Sequence, residues 1–215
     1  MKRLTPHDIN TPEHFDQVWS LENAHRFDEV RMRAFTDYLP HRGAVLDVGA
    51  GLYGWAEFAL SKWANGRTPT LEFHAIDFSP KAKAIAAERC PRLNYHLGNV
   101  LEMPAEWDSK FALVGAGELI EHMEDPQALV NEMARVMRND GGLIIGTVDP
   151  ECEDSIRNRV EYPEHLWQFT KDDLCEMVSK VCRYAAYARV GNYDFVYGRV
   201  KLGAAAFGCK PAENA

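Results

Sequence analysis

No apolar run in this 215-residue chain approaches the ~18 residues that a membrane-spanning helix needs. No apolar segment follows the two early basic residues of MKRLTPHDINTPEHF, so a secretory leader is not expected. Cysteine is sparse and poorly spaced for cross-linking. Cys90, Cys152, Cys175, Cys182 and Cys209 are odd in number and form no C-x-x-C, which speaks against a zinc ribbon or a disulfide framework. A reducing, cytoplasmic setting suits them best. Basic clusters are missing too. A formal net charge of -8 and scattered Lys and Arg argue against broad binding to phosphate backbones, which usually leaves a basic patch, so a nucleic-acid partner is not expected.

What is present is alternation. Thr11-Pro12 reads as an N-cap with proline at the first helical position, and EHFDQVWSL and AHRFDEVRMRAFTDYL carry apolar residues at helical spacing. From Ala44 onward, strand-like and helix-like runs take turns. AVLDVG precedes the helix WAEFALSKWA, LEFHAI precedes KAKAIAAER after Ser79-Pro80, and LNYHL and FALVGA follow. Asp125-Pro126 then opens QALVNEMARVMR, which Gly141-Gly142 is expected to stop before the strand LIIGTV. Thr170 and Asp173 form a capping-box-like start to DDLCEMVSKV. CRYAAYARV and FVYGRVKLGAAAFGC, joined at Gly191-Asn192, should pair antiparallel. This order predicts an α/β, Rossmann-like, doubly wound and mainly parallel sheet with helices on both faces. One domain over residues 1–215 is expected, with N-terminal helices over 1–42 and the core over 43–210.

Gly49-x-Gly51-x-x-Gly54 follows the first strand of that core and opens a helix. Without Cβ atoms, the backbone there can turn tightly and present its N–H groups to a ligand. Asp77 ends the second strand, where a carboxylate can take both hydroxyls of a ribose. Asp47 narrows the choice of ligand. It lies inside an apolar strand, and a buried carboxylate needs an ammonium group or backbone donors as partner. A pyrophosphate would be repelled by it, which disfavours a nicotinamide dinucleotide.

V-L-D-V-G-A-G-x-x-G resembles motif I of the class I S-adenosylmethionine-dependent methyltransferases. The resemblance is close from Ala44 to Val148 and looser elsewhere, and it implies a seven-stranded sheet with an antiparallel C-terminal strand under an N-terminal helical lid. It assigns Asp47, Gly49, Gly51 and Gly54 to the amino-acid end of S-adenosylmethionine, and Asp77 with its neighbour Phe78 to the nucleoside. In L-G-N-V, Asn99 and Val100 fall near the adenine; Asn99 stands where the family commonly has Asp, as Ala112 does farther on. An amide carbonyl can still accept the adenine amine's hydrogen bond. Gly117 and Glu118 would border the methionine part. The expected function is methyl transfer to O or N of a small molecule; a non-catalytic, cofactor-binding scaffold is the non-enzymatic alternative.

G-E-L-I-E-H sets Glu118, Glu121 and His122 at i, i+3 and i+4, one face of any helix that holds them. They would merely border the pocket on one reading, with no metal. On a second, His122 and His165 act as general bases, since imidazole titrates near working pH. A third is a divalent-metal site. Glu-x-x-Glu-His is similar to a stretch in ubiquinone-pathway catechol O-methyltransferases and in small-RNA 3′-end 2′-O-methyltransferases. The RNA enzymes add a later histidine, and His165 in H-L-W-Q-F-T has that form. Glu118, Glu121, His122 and His165 would then hold the ion and activate the accepting hydroxyl. Phe15, Trp19, Phe27 and Phe35 form a stripe that reads first as core packing. The resemblance makes the N-terminal helices and the loop after the fifth strand a cover over the acceptor, lined by Trp19, Tyr162 and Trp167.

Overall fold

The computed structural model describes residues 1–5, 9–18, 29–63, 70–151 and 164–202. Strand β1 (Lys2–Arg3) and helices α1 (Pro12–Val18) and α2 (Glu29–Thr36) precede the core. The alternating section follows as β2 (Arg42–Val48), α3 (Trp55–Trp63), β3 (Thr70–Asp77), α4 (Pro80–Arg89), β4 (Asn94–Leu97) and β5 (Phe111–Gly117). It continues with α5 (Pro126–Val136), β6 (Met137–Val148), β7 (Trp167–Gln168), α6 (Lys171–Ser179), β8 (Cys182–Val190) and β9 (Tyr193–Lys201). The predicted starts coincide with real caps. Thr11 Oγ1 accepts from His14 N, Ser79 Oγ from Ala82 N and Asp125 Oδ1 from Ala128 N. Thr170 and Asp173 complete the capping box in both directions. Each such cap is worth ~1 kcal/mol.

Seven strands form one sheet in the order β4-β3-β2-β5-β6-β9-β8. The pairs from β4 through β6 are parallel, and β9 runs antiparallel to both β6 and β8. Two apolar layers cover its faces. One is built on Leu46, Val114, Leu129 and Phe169, the other on Phe35, Trp55, Phe73 and Ile144. That is why the central strands read as nearly continuous apolar runs. Chain order reverses between β2 and β5, and a crevice beyond the carboxyl ends of strands at such a switch point is where ligands bind in open α/β sheets. No helix among the described residues is long and apolar enough to cross a membrane.

Two features depart from the sequence reading. Helix α5 ends at Val136, not at Gly141-Gly142. Lys110 N takes the Val136 carbonyl and Lys201 Nζ takes those of Arg135 and Met137, so the chain leaves the helix early and Met137 pairs with Phe111. Gly142 lies within β6, where a Cβ would stand 2.8 Å from the Tyr197 hydroxyl. The second departure is a ribbon outside the main sheet, β1 antiparallel to β7, with Lys2 opposite Gln168 and Arg3 opposite Trp167.

Candidate active site

At the end of β2 the chain turns sharply, with Gly49 and Gly51 at φ +67 and +49°. A Cβ at Gly49 would lie 2.7 Å from the Leu119 side chain. Gly54 serves a different need. A Cβ there would stand 2.4 Å from Asp47 Oδ2, so this glycine makes room for the carboxylate. Asp47 is 2% exposed, and its Oδ2 accepts from Ala56 N at 2.9 Å in the first turn of α3. Burial pushes its carboxyl well above the usual range, while the Ala56 N–H and the Arg31 charge pull the other way. Asp77 is nearly as buried. Its Oδ2 accepts from Gly51 N and its Oδ1 from Ser79 N, both at 2.9 Å. Its carboxyl is raised by burial, against those two N–H groups.

These groups open onto a cavity of about 720 Å³, an ordinary size for a cofactor and a small ligand. Asp47, Gly49, Gly51, Gly54, Asp77, Phe78, Asn99, Val100, Gly117 and Glu118 all line it. Asn99 Oδ1 accepts from Leu101 N at 2.9 Å, which fixes the amide's orientation at the wall. Arg31 and Tyr193 line the cavity too, and sequence reasoning missed both. Arg31 pairs with Glu118 and lies over the Tyr193 ring, 5.7 Å from its centroid. No motif marked either: one comes from a helix before the core, the other from the start of β9.

The expected helical face at Glu118, Glu121 and His122 does not exist. Only Ile120–His122 form a single 3-10 turn, and Glu118 precedes it at φ +55°. That backbone turns Glu118 toward Arg31. Glu121, 1% exposed, instead clusters with His122 and His165, with one donor atom of each within 4.8 Å of the others. The structure thus brings together three of the four candidate ligands and separates Glu118 from them. His122 lines the cavity, whereas His165 does not. His122 Nδ1 lies 2.9 Å from the Glu164 carbonyl, which can only accept. The proton is therefore on Nδ1, and a neutral ring carries its lone pair on Nε2. His165 packs edge-on to it, with centroids 4.9 Å apart.

Backbone bonds hold this corner. Leu166 N donates to Glu121 O, Leu4 N donates to Leu166 O beside the β1–β7 ribbon, and Asn10 Nδ2 donates to the carbonyls of His122 and Glu164. Helix α1 closes over it: Phe15 meets Phe78 and His122 at 5.7 and 5.6 Å between centroids, and His14 Nε2 reaches Glu164 Oε1 at 2.8 Å. Trp167, expected in the lining, lies elsewhere. Its Nε1 donates to Met123 O at 3.0 Å, and Arg3 covers its face at 4.8 Å. Trp19, Phe27 and Tyr162 lie outside the described residues.

Residues 46–145 match the family model of a methyltransferase domain. The ubiquinone biosynthesis O-methyltransferase of Xylella fastidiosa is 28% identical over 130 residues, 58% of this chain and 50% of that protein. A probable chloroplastic tocopherol O-methyltransferase of Oryza sativa is 32% identical over 110 residues, 48% of this chain and 28% of that one. The chain thus spans about half or less of the length of these curated relatives. Among solved structures, the 1,6-didemethyltoxoflavin-N1-methyltransferase of Burkholderia thailandensis, with bound 1,6-didemethyltoxoflavin and S-adenosylhomocysteine, superposes with a TM-score of 0.61. That match covers 92% of this chain and 93% of that one at 15% identity, a likeness of fold.

Proposed function

Because the chain belongs to the class I S-adenosylmethionine-dependent methyltransferase family, we propose that it methylates an oxygen or nitrogen of a small molecule. One observation carries this reading: two buried carboxylates, Asp47 and Asp77, flank a glycine turn at one end of a cavity that has His122 in its wall. The residues fit S-adenosylmethionine, since the turn excludes Cβ atoms at Gly49 and Gly54 and both carboxylates are already oriented by N–H groups. Asp77 would hold the ribose hydroxyls, and Phe78, Asn99 and Val100 the adenine. Asp47, Gly117 and Glu118 would hold the amino-acid end, with Arg31 as the cation for its carboxylate.

When bound, this cofactor supplies a methyl group already activated on a sulfonium. What remains for the protein is alignment, exclusion of water and removal of the acceptor's proton. His122 Nε2 is suited to take that proton, and the Glu164 carbonyl keeps the tautomer that can. Phe15 and helix α1 cover the reacting end and keep it dry. The free thiols Cys90, Cys175 and Cys182 support the cytoplasm as its compartment. We read residues 1–215 as one domain of this kind.

A second reading is favoured by the Glu121–His122–His165 cluster. One carboxylate and two imidazoles suit Mn²⁺, Fe²⁺ or Zn²⁺ better than Mg²⁺. An ion held there would lower the acceptor hydroxyl's pKa, with His122 as ligand instead of base. Thermal shifts with S-adenosylmethionine, S-adenosylhomocysteine and NAD, each with EDTA or Mn²⁺, separate the readings. Cofactor at a hundred times its dissociation constant should stabilise by ~2.7 kcal/mol. Stabilisation by NAD alone would sink the methyltransferase reading, and a shift lost in EDTA would favour the metal.

A further inference from the structure

Gly51 is gripped on both sides, through two successive peptide groups. Its N–H donates to Asp77 Oδ2, and its carbonyl accepts from the Tyr95 hydroxyl, each at 2.9 Å. Tyr95 stands on β4, an edge strand whose partner in the sheet is β3, and it does not line the cavity. Two residues on, Tyr53 holds φ +63°, uncommon for a side chain of its size. Arg89 of α4 lies 3.7 Å above that ring while its guanidinium binds both carboxylate oxygens of buried Glu57 on α3. Side chains from outside the cavity thus brace a glycine-rich turn, which could otherwise visit many conformations.

We propose that Tyr95 is a positioning residue for the cofactor, with Arg89 as a second brace: neither faces the cavity, and together they hold the turn in its binding conformation before ligand arrives. The inference rests on the cofactor reading above. Without the phenol hydroxyl, the Gly51 carbonyl must find another partner, and the Gly51–Leu52 peptide can flip. A flip of that peptide changes ψ of Gly51 and φ of Leu52, so the turn leaves the conformation in which the Gly51 N–H, in the preceding peptide, holds Asp77 Oδ2. Apparent affinity falls in proportion to the fraction of molecules left competent. Burial and the nearby charges of Asp77, Asp47 and Glu57 keep the phenol protonated, so the brace persists at alkaline pH.

The test is stopped-flow binding of S-adenosylhomocysteine, read by tryptophan fluorescence, to wild type and Tyr95→Phe. Loss of preorganisation should slow association about tenfold, ~1.4 kcal/mol in affinity, and leave dissociation within about twofold. Amide exchange should quicken at residues 51–53 and stay unchanged in β5. Unchanged association in folded Tyr95→Phe overturns the proposal, as does faster dissociation at an unchanged association rate. If that variant does not fold, Arg89→Lys decides. It keeps the charge opposite Glu57, removes the planar contact with Tyr53 and should slow association about threefold, ~0.6 kcal/mol; an unchanged rate overturns the proposal. Wild-type protein that binds no S-adenosylhomocysteine overturns the cofactor reading and the proposal with it. Wild-type binding with unaltered variant kinetics removes only the brace.

Discussion

On the glycine-turn side of the cavity, the principal groups lie between Asp47 and Asp77, at the ends of two adjacent parallel strands. On the His122 side, Phe15, His122 and Tyr193 come from segments scattered along the chain, and His165 supports them through a backbone-bonded corner. The first side is local in sequence, with neighbouring side chains bracing its turn. The second exists only once the N-terminal helices, the segment after β6 and the β8–β9 hairpin have docked. A site needed for one shared cofactor can be written as a motif, while a site that selects an acceptor can be assembled from whatever the fold brings near.

If that contrast is right, small changes on the glycine side should be severe. Gly54→Ala drives a Cβ into Asp47 Oδ2 and Ala50 O, at 2.4 and 3.0 Å. Calorimetry with S-adenosylhomocysteine should show affinity falling at least about a hundredfold, ~2.8 kcal/mol. Binding within tenfold of wild type would mean the turn is less rigid than its geometry suggests.

On the other side, His122→Ala should leave cofactor affinity nearly intact and slow methyl transfer about a hundredfold once an acceptor is found. His165→Ala sharpens the comparison. Under the metal reading it should match His122→Ala and abolish any Mn²⁺-dependent thermal shift; under the general-base reading the loss should be smaller. Transfer at an unchanged rate would remove His165 from both. Asp77→Ala should weaken cofactor binding at least about tenfold, ~1.4 kcal/mol; equal affinity would refute the nucleoside assignment at the end of β3.

The smallest expected effect concerns the strands beneath the turn. His74 and His96 contact each other across β3 and β4, with Nδ1 to Nε2 at 3.1 Å and rings stacked among Trp107 and Phe111. Burial first, then the Lys110 and His96 charges, pull His74 down to about 4 from an ordinary 6.5, against Glu72. Burial, Lys110 and Lys83 lower His96 against Glu106. A histidine depressed in the folded state binds its proton more readily when unfolded. Its stabilising share is thus complete above pH 6.5 and fades as pH falls toward 4. The unfolding midpoint should drop by roughly 5 °C over that window. In His74→Phe the drop should be smaller, and equal slopes would exclude the pair as its source.

Much of the fold was legible in sequence. Strand–helix alternation, the caps at Thr11, Ser79, Asp125 and Thr170, and the closing hairpin could be read because side chains there either bury in a periodic pattern or bond their own backbone. The early end of α5 was hidden, since it depends on Lys110 and Lys201 taking carbonyls from a distance. The β1–β7 ribbon is only two residues long on each side, too short for any periodicity to register. Reading G-E-L-I-E-H as a helix placed Glu118 with Glu121, whereas a left-handed residue followed by one 3-10 turn sends them to different partners.

By itself, then, the sequence determined the glycine turn and its two acids, because steric room at Gly49 and Gly54 and the partners of Asp47 and Asp77 are set within one strand–turn–helix unit and its neighbour. Only the tertiary structure decided that His165 joins Glu121 and His122, that Arg31 answers Glu118, and that Tyr95 holds Gly51 from outside the cavity. Those meetings depend on which distant segments the fold brings together, and residue type alone does not mark that.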